Sequence, residues 1–411
     1  MVTQTLETGY KQTELGVIPE DWDIKKFTEC ADLKHGFQFR EEHFSKDGII
    51  IVKIGNLIDG GGINLSNVSF IPLNSLVKFS GYALKKGDVL MALTGATLGK
   101  VSIVDTNKTT LQNYRVGKFV NKKNINNAYI YYLLQSSYIQ KKIKSLVNEA
   151  AQPNIGKADF DKFLVPISKN KEEQAAIAEV LSETDALIKA LDRLIEKKKN
   201  IKQGAMQELL TGKSRLHGEW INSSSLISTE IGIIPKDWVI KKIGETLRVR
   251  HGKSQHEIAS DNGIYPILAT GGEIGRTDDY LYDKPSVLIG RKGTIDKPQY
   301  ITTPFWTVDT LFYTEVFDDF YPKFLFYKFN TIDWYSYNEA SGVPSLNATT
   351  IEGIQVSVPS TFDEQKAIAQ VLSDIDSEIE GLEEERKKYI QLKIGMMQQL
   401  LTGEIRLKWN S

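Results

Sequence analysis

The sequence predicts an α+β protein with an internal pseudo-two-fold repeat: two mixed β-rich domains separated by two long antiparallel helices that form a coiled coil. Three observations predict this fold class. The chain carries two matching opening segments, two matching helical tails and a divergent, strand-rich middle between each pair. The predicted boundaries are 1–168 for the first domain, 169–216 for the central helix, 217–359 for the second domain and 360–411 for the C-terminal helix.

The duplication is read directly from the sequence. Residues 13–27 are TELGVIPEDWDIKKF, and residues 229–243, 216 positions later, are TEIGIIPKDWVIKKI. Residues 173–182 are EQAAIAEVLS, and residues 364–373, only 191 positions later, are EQKAIAQVLS. The second copy is therefore 25 residues shorter between its two matches. Two long matches in the same order indicate that one unit was duplicated.

Each tail predicts one helix of about 40 residues, or about 60 Å at the helical rise. The predicted N-caps, Asn170 and Thr361, are each followed three residues later by a glutamate, Glu173 or Glu364. This spacing predicts a capping box, in which the cap side chain accepts a backbone N–H and the glutamate bonds back to the cap. The predicted C-terminal caps are Gly212 and Gly403.

Residues at heptad spacing form a seam along both helices. In the first helix they are Ile177, Thr184, Leu191, Lys198 and Ala205, with Leu181, Ile188, Ile195, Lys202 and Leu209. In the second they are Ile368, Ile375, Leu382, Tyr389 and Met396. Because each helix leads out to the second domain or back from it, we expect the two to pair antiparallel. The basic runs at 197–199 and 386–388 have two interpretations, a solvated stretch of helix or a contact with phosphate or a partner protein.

The divergent middles contain short β-branched runs separated by Gly, Asn and Asp, which predicts strands joined by turns. Residues 129–138 and 321–329 are predicted to be helical and to place their aromatic side chains in the core. Trp22 and Trp238 in the opening segments are expected to pack against the edge of their domains. The matching turns at 152–154 and 343–345 are expected to be structural.

Composition limits the class of protein. The 41% of hydrophobic and 25% of charged residues are ordinary for a globular protein. The sequence has no run of about 18 apolar residues, so it does not predict a membrane span. Cys30 is the only cysteine, which excludes an internal disulfide and favours the cytoplasm. A net charge of −1 argues against a uniformly basic surface but leaves a local basic face open.

Catalytic motifs are not found. Residues 95–100, GATLGK, are one residue too short between the glycines for a phosphate-binding loop, and Val101 replaces the required Ser or Thr. The five histidines form no Cys/His cluster with zinc spacing. No Asn/Asp-Pro-Pro-aromatic box of the amino-methyltransferases is present, although a loose set of nuclease carboxylates is left open. The sequence therefore predicts neither an enzyme nor a metal site.

The order of these motifs resembles a known family. A variable domain, a helix with EQxAIAxVLS and QxLLTG, a second variable domain and a second such helix are similar to the specificity subunit of Type I restriction–modification enzymes. The segments LGVIPEDW and IGIIPKDW are typical of that family as well. The resemblance covers essentially the whole chain and rests on four motifs in a fixed order.

The resemblance implies a function. Each variable domain would be a target-recognition domain that reads one half of an asymmetric, bipartite sequence in double-stranded DNA. The helices would be a spacer and would dock two methyltransferase subunits, and two motor/endonuclease subunits would complete the complex. Adenine methylation and ATP-dependent cleavage would occur on those partners. S-adenosylmethionine, ATP and magnesium would then bind the partners, and no cofactor would bind this chain.

Polar, turn-like stretches of the middles supply the candidate DNA-binding residues, because base edges are read mainly by Arg, Lys, Asn and Gln. In the first domain they are Gln38, Arg40, Gln112, Asn113, Tyr114 and Arg115. In the second they are Arg248, Arg250, His251, Lys253, Gln255, Arg291 and Lys292.

Two alternatives stay open on sequence grounds. The chain could be a coiled-coil scaffold whose variable domains bind only proteins, as the near-neutral net charge would allow. It could also read DNA within a simpler methylation system that uses the same kind of subunit. In the first alternative the ligand of the variable domains would be a protein instead of DNA. In the second the ligand would still be DNA, and only the partner proteins would differ.

Overall fold

A computed structural model describes residues 8–148, 154–216 and 225–407. The chain divides into two compact units, of which unit 1 is Met1–Leu191 with Glu385–Ser411 and unit 2 is Asp192–Glu384. Each unit therefore takes part of both long helices, whereas the sequence-based boundaries kept helices and domains apart.

Unit 1 contains the first strand-rich region. Its strands are β1 (Tyr10–Thr13), β2 (Gly16–Pro19), β3 (Trp22–Lys26), β4 (Ala31–His35), β5 (Ile49–Val52), β6 (Ser69–Ile71), β7 (Ala83–Leu84), β8 (Val89–Ala92), β9 (Val101–Ile103), β10 (Thr110–Gln112), β11 (Val116–Asn121) and β12 (Leu164–Ser168). Its shorter helices are α1 (Phe27–Cys30), α2 (Leu76–Phe79), α3 (Asn127–Gln135), α4 (Ser137–Asn148) and α5 (Lys157–Phe160). The first long helix, α6 (Lys171–Leu209), begins in this unit.

Unit 2 contains the second strand-rich region. Its strands are β13 (Leu226–Thr229), β14 (Gly232–Pro235), β15 (Trp238–Lys242), β16 (Leu247–Arg250), β17 (Tyr265–Ala269), β18 (Gly272–Thr277), β19 (Ser286–Gly290), β20 (Gln299–Ile301), β21 (Trp306–Thr307), β22 (Leu311–Val316) and β23 (Gln355–Pro359). Its helices are α7 (Pro322–Phe329), α8 (Ala348–Gly353) and the first part of the second long helix, α9 (Phe362–Leu400).

The sheets have the same plan in both units. A four-stranded sheet runs β4-β11-β8-β9 in unit 1 and β16-β22-β19-β20 in unit 2. A second sheet contains the parallel pair β5–β10 in unit 1 and the parallel pair β17–β21 in unit 2, next to antiparallel partners. The predicted mixed, β-rich domains and the internal repeat are therefore confirmed.

Matching strands show where the second copy has lost residues. Val52 on β5 corresponds to Leu268 on β17, 216 positions later. On the next matching pair the separation has fallen to 198, between Ala92 and Gly290. Most of the shortening thus lies between β5 and β8, in the stretch that contains α2 of unit 1.

The long helices pair antiparallel within each unit. In unit 1 the ammonium of Lys393 on α9 lies 2.6 Å from the carboxylate of Asp185 on α6. In unit 2 Lys202 on α6 lies 2.5 Å from Asp376 on α9. Every residue of the predicted seam is buried or half-buried, which confirms the heptad assignment. In the basic run 197–199, Lys198 and Lys199 form ion pairs with glutamates on α9, so this stretch of helix pairs within unit 2.

The predicted capping boxes are half correct. Asn170 accepts the backbone N–H of Glu172 at 2.8 Å, as an N-cap does. The Glu173 side chain does not bond back to the cap. It accepts from Trp22 Nε1 at 3.0 Å and from Arg406 Nε at 2.8 Å. The carboxylate is 1% exposed, and the Trp22 indole that it accepts from is fully buried, so this bond satisfies a buried donor that the solvent cannot reach.

Unit 2 repeats this arrangement. Glu364 accepts from Trp238 Nε1 at 3.3 Å and from Arg215 at 2.9 Å. Arg215 also bonds Asp237 through two contacts, as Arg406 bonds Asp21 in unit 1. The tryptophans are buried at the domain edge, as predicted, and their indoles fasten the opening segment to the start of a long helix.

Both units have their own apolar core. In unit 1 the largest buried side chains include Trp22, Phe27, Tyr129 and Phe160, and Leu181 of α6 packs into the same cluster. In unit 2 the corresponding core contains Trp238, Phe324 and Trp334. Among the described residues, no helix has a stretch long and apolar enough to cross a membrane.

Candidate nucleic-acid interface

Three loops of unit 1 converge beside the ends of its sheets. We call residues 36–40, 93–97 and 112–115 the first loop cluster. Phe37 N donates to Gln112 O at 3.0 Å and Tyr114 N donates to Phe37 O at 2.9 Å. Leu93 N donates to Arg115 O at 3.0 Å, which ties the loop 93–97 to the other two loops.

Two of these three bonds recur in unit 2. We call residues 252–256, 291–295 and 307–310 the second loop cluster. Lys253 N donates to Thr307 O at 2.8 Å, and Arg291 N donates to Thr310 O at 2.9 Å. The two clusters therefore share a backbone framework while their sequences differ, HGFQFR against HGKSQH in the first loop.

The glycine of the shared His-Gly pair is needed for this framework. A Cβ on Gly36 would lie 2.2 Å from Gln112 O, and one on Gly252 would lie 2.0 Å from Val308 O. Only glycine lets the first loop pass so close to the neighbouring backbone. The match that the sequence showed at 35–36 and 251–252 is thus a packing requirement.

The candidate residues of the first domain fall into two groups. Gln38, Arg40 and Arg115 are exposed, and the Arg115 guanidinium lies 5.3 Å from the centre of the half-buried Tyr114 ring. Gln112 and Asn113 are only 2% and 6% exposed. Burial places these last two amides away from solvent, which corrects the expectation that they face a ligand.

Gln112 and Asn113 instead hold the loops in place. The Gln112 amide donates to Lys34 O at 2.8 Å and to Val116 O at 2.7 Å. The Asn113 side chain accepts the backbone N–H of Arg115 at 3.3 Å. Their hydrogen bonds fix the strand end from which Tyr114 and Arg115 project.

Most candidates of the second domain are exposed. On β16 the exposed Arg248 and Arg250 alternate with buried Leu247 and Val249. Arg250 pairs with Glu315 at 2.9 Å, and this partner raises the pKa of Arg250. An arginine already paired with a carboxylate has fewer donors left for DNA.

The loop that follows β16 carries three more candidates. Lys253 is exposed, and its carbonyl accepts from Trp306 Nε1 at 2.9 Å. The exposed His251 ring packs edge-on against Phe312, with 4.9 Å between the ring centres. Gln255 is half-buried at the start of a turn, where its carbonyl accepts the N–H of Ala259 at 3.0 Å.

Arg291, Lys292 and His251 meet in one depression of about 420 Å³. The Arg291 guanidinium donates to the backbone carbonyl of Asp309 at 3.0 Å. The lining also includes Glu339 and Asn347, which the sequence did not single out. We call this site the unit 2 depression.

The turns at 154 and 345 lie beside these loops. Ser345 pairs with Lys292, and Asn154 pairs with Thr94 in unit 1. Residues 152 and 153 of the predicted turn lie outside the described residues. The pairing identifies 93–97 as the unit 1 counterpart of the Arg291 loop, a correspondence hidden in the sequence because the offset changes between the two sheets.

A second matched feature lies away from the loop clusters. Unit 1 has an apolar groove of about 290 Å³ lined by Leu15, Leu133, Ile394, Met397 and Leu401, among others. Unit 2 has a groove of about 240 Å³ lined by Ile231, Ile233, Lys328 and Ile332, among others. We call them groove 1 and groove 2. Each groove takes residues from the opening segment, the divergent middle and the helical tail of its unit.

Within the parts of the chain that the structure describes, no three His, Cys, Asp or Glu side chains are placed to hold a metal ion.

Solved structures share this architecture. The S subunit of a Type I restriction–modification system from M. genitalium is similar over 97% of this chain and 98% of its own, with a TM-score of 0.63 at 17% identity. A chain from a study of complex assembly and conformational transition of the Type I system is similar over 94% of this chain and 99% of its own, with a TM-score of 0.54 at 13% identity. These likenesses show the fold class, that of two-domain S subunits.

Sequence relatives agree. The Type I restriction enzyme MjaVIII specificity subunit of Methanocaldococcus jannaschii is 34% identical over 213 residues, which span 51% of this chain and 50% of that relative. The putative Type I restriction enzyme MjaX specificity subunit of the same organism is 26% identical over 98% of both chains.

The family described as Type I restriction modification DNA specificity domain matches residues 19–202 and 235–392, and the chain belongs to it. It is therefore a specificity subunit and not a catalytic subunit, as the motif order predicted.

Proposed function

We propose that this chain recognises an asymmetric, bipartite DNA sequence and directs adenine methylation and ATP-dependent cleavage by partner subunits of a Type I restriction–modification enzyme. The observation that carries the proposal is the pair of loop clusters. Both share two loop-to-loop backbone hydrogen bonds at matching positions, but they present different side chains. Equal frameworks with unequal side chains suit two half-sites of different sequence.

The chemistry of the exposed side chains supports DNA as the ligand. The first loop cluster presents Gln38, Arg40 and Arg115, and the second presents Lys253 and Lys292 beside Arg291. Arginine and lysine read guanine, glutamine reads adenine, and unspecific contacts to phosphate fix the register. A scaffold that binds only proteins would have no need for exposed basic side chains in both loop clusters.

The test is methylation mapping. The chain is co-produced with a methyltransferase subunit of its system in a host without DNA methylation, and modified adenines are located by sequencing. We expect N6-methyladenine at one split, asymmetric motif, absent without this chain. A stable complex of the two proteins without new methylation would favour the protein-binding scaffold.

Paired variants assign the half-sites. Arg40→Ala with Arg115→Ala should alter one half-site, and Lys253→Ala with Lys292→Ala the other. If either pair changed both half-sites, the assignment of one half-site to each unit would be wrong.

We further propose that two methyltransferase subunits dock at grooves 1 and 2. Leu15 in groove 1 and Ile231 in groove 2 occupy matching positions in the opening segments, and Thr402 and Thr211 match in the tails. Two grooves at matching positions of the repeat suit two copies of one partner. Two motor/endonuclease subunits would complete the complex in the cytoplasm, and S-adenosylmethionine, ATP and magnesium would act on the partners.

The docking proposal has a matched control. Ile394 lines groove 1 and is 53% exposed, and Leu392, on the same helix and also 53% exposed, does not line it. Ile394→Glu should reduce the complex from two methyltransferase subunits to one, measured by native mass spectrometry, whereas Leu392→Glu should not. Two subunits retained with Ile394→Glu, or one lost with Leu392→Glu, would exclude groove 1 as the docking site.

A further inference from the structure

The unit 2 depression combines donors with an acceptor. Arg291, Lys292 and His251 contribute donors to its lining, and Glu339 contributes a carboxylate. Hydrogen bonds from Thr350 and Asn347 lower the pKa of Glu339, so the carboxylate is ionised at neutral pH. A phosphate would be repelled by this charge, because like charges in one depression oppose binding.

The same pattern matches one kind of base pair. In the major groove guanine presents two acceptors, N7 and O6, and its cytosine partner presents the N4 amino donor. Arginine or lysine pairs with the guanine acceptors, and glutamate accepts from cytosine N4. In the major groove an A·T pair presents the adenine amino donor and the thymine methyl group. It would therefore leave some of the donors and the carboxylate of this depression without hydrogen-bond partners.

Both reading groups are held in place before any ligand binds. The Arg291 guanidinium donates to Asp309 O at 3.0 Å, and the Arg291 backbone N donates to Thr310 O at 2.9 Å. Glu339 N donates to Ser345 O at 3.1 Å, and the Glu339 carboxylate accepts from Thr350 Oγ1 at 2.6 Å. Preorganised groups lose less entropy on binding, so more of their interaction energy discriminates between bases.

The matching place in unit 1 has different chemistry. Leu93, which bonds Arg115 and Ile155 through its backbone as Arg291 bonds Thr310 and Leu346, is an apolar side chain only 1% exposed. Its neighbour Thr94 stands where unit 2 has Lys292. The donor–acceptor pair therefore belongs to unit 2 alone within the two matched frameworks.

We infer that Arg291 and Glu339 together read one G·C base pair in the half-site bound by unit 2, an inference that rests on the proposed function. Arg291 donates to guanine, and Glu339 accepts from the N4 amino group of the paired cytosine. Lys292 supplies a further donor to the guanine side of the pair.

The experiment is a selection of bound duplexes from a random pool by the full chain in complex with its methyltransferase subunit. Wild type, Arg291→Ala, Glu339→Gln and the control Lys297→Ala are compared. Lys297 is exposed in the adjoining loop but does not line the depression, so it controls for the loss of one positive charge.

We expect one G·C position in one half-site at which Arg291→Ala loses tenfold or more of the discrimination. Glu339→Gln should act at that same position and admit A·T, because an amide can pair with adenine. Replacing the guanine by 7-deazaguanine should weaken binding by wild type but not by Arg291→Ala. Retention of the other half-site by each variant shows that the protein is folded.

Any of three results would overturn the inference. Arg291→Ala and Glu339→Gln could change different positions, or Arg291→Ala could weaken all sequences equally and lower the salt dependence by about one phosphate contact. No split motif with wild type would overturn the proposed function itself, whereas a split motif insensitive to both variants would overturn only the base-pair assignment.

Discussion

The ion pair between Arg406 and Glu173 should contribute more to stability than its repeat, the pair between Arg215 and Glu364. The two arginines are about equally exposed, at 30% and 31% of the side chain. Their carboxylate partners differ, because Glu173 is 1% exposed and Glu364 is 20% exposed. Removing the arginine therefore leaves a buried charge in unit 1 and a partly hydrated charge in unit 2.

The magnitudes follow from this difference. Leaving a buried carboxylate without its cation costs about 3–5 kcal/mol. We expect about 3 kcal/mol for Arg406→Ala, since Trp22 and Ser168 still donate to Glu173. Water can hydrate Glu364, so Arg215→Ala should cost only about 1 kcal/mol. The bonds to Asp21 and Asp237 add little to either value, because both carboxylates are more than half exposed.

The assay must separate the two units, because a chain with two compact units need not unfold in a single step. Hydrogen exchange is measured in increasing urea on peptides covering 10–26 and 226–242. It gives the free energy of local unfolding of the opening segment in each unit. Arg406→Lys is the control for charge alone, since lysine cannot make the forked contact with Glu173 and Asp21. It should lie between wild type and Arg406→Ala. Equal losses in both units, or a larger loss for Arg215→Ala, would refute the argument from burial.

Three further expectations concern the helices. Gly403→Ala should destabilise unit 1 by more than 1 kcal/mol in urea melts, because φ is +74° and the new Cβ would lie 2.5 Å from a proline ring. Gly395→Ala is the control, since Gly395 lies inside α9 with open space around it, and this substitution should stabilise by about 0.5–1 kcal/mol. A Gly403→Ala variant more stable than Gly395→Ala would contradict this. Burial lowers the pKa of Lys328 to about 8, so the folded state binds fewer protons there than the unfolded state. Wild type should therefore gain stability relative to Lys328→Leu between about pH 8 and 10, by up to roughly 3 kcal/mol, and parallel pH profiles would disprove it. Tyr132→Phe should lower the free energy of unfolding by about 1–2 kcal/mol, because it removes the 2.9 Å hydrogen bond from Tyr132 to Asp185. The double variant Tyr132→Phe with Asp185→Asn should be no less stable than Asp185→Asn alone.

Periodic features were predicted well. The heptad seam, the left-handed glycines Gly212 and Gly403 just after the ends of α6 and α9, and the buried tryptophans all agree with the structure. Each depends on residues a few positions apart or on the repeat itself, so the sequence carries the information locally.

Polar side chains were predicted less well, because their partners are distant in sequence. Glu173 resembled half of a capping box, but it bonds Trp22 and Arg406, 151 and 233 positions away. Gln112 resembled a base reader, but its amide bonds Lys34 O, 78 positions away, and is buried. A polar residue in a turn-like stretch has the same local sequence whether its side chain points outward or into the core.

The sequence by itself determined the duplication, the two long helices and, through the order of four motifs, the family of specificity subunits. Only the tertiary structure decided that the opening segments are fastened by Trp–Glu–Arg contacts, that Gln112 and Asn113 support a loop, and that Arg291 shares a depression with Glu339. The physical reason is that helix and strand patterns follow from the spacing of neighbouring residues. Which polar groups meet is decided by the packing of segments far apart in the chain.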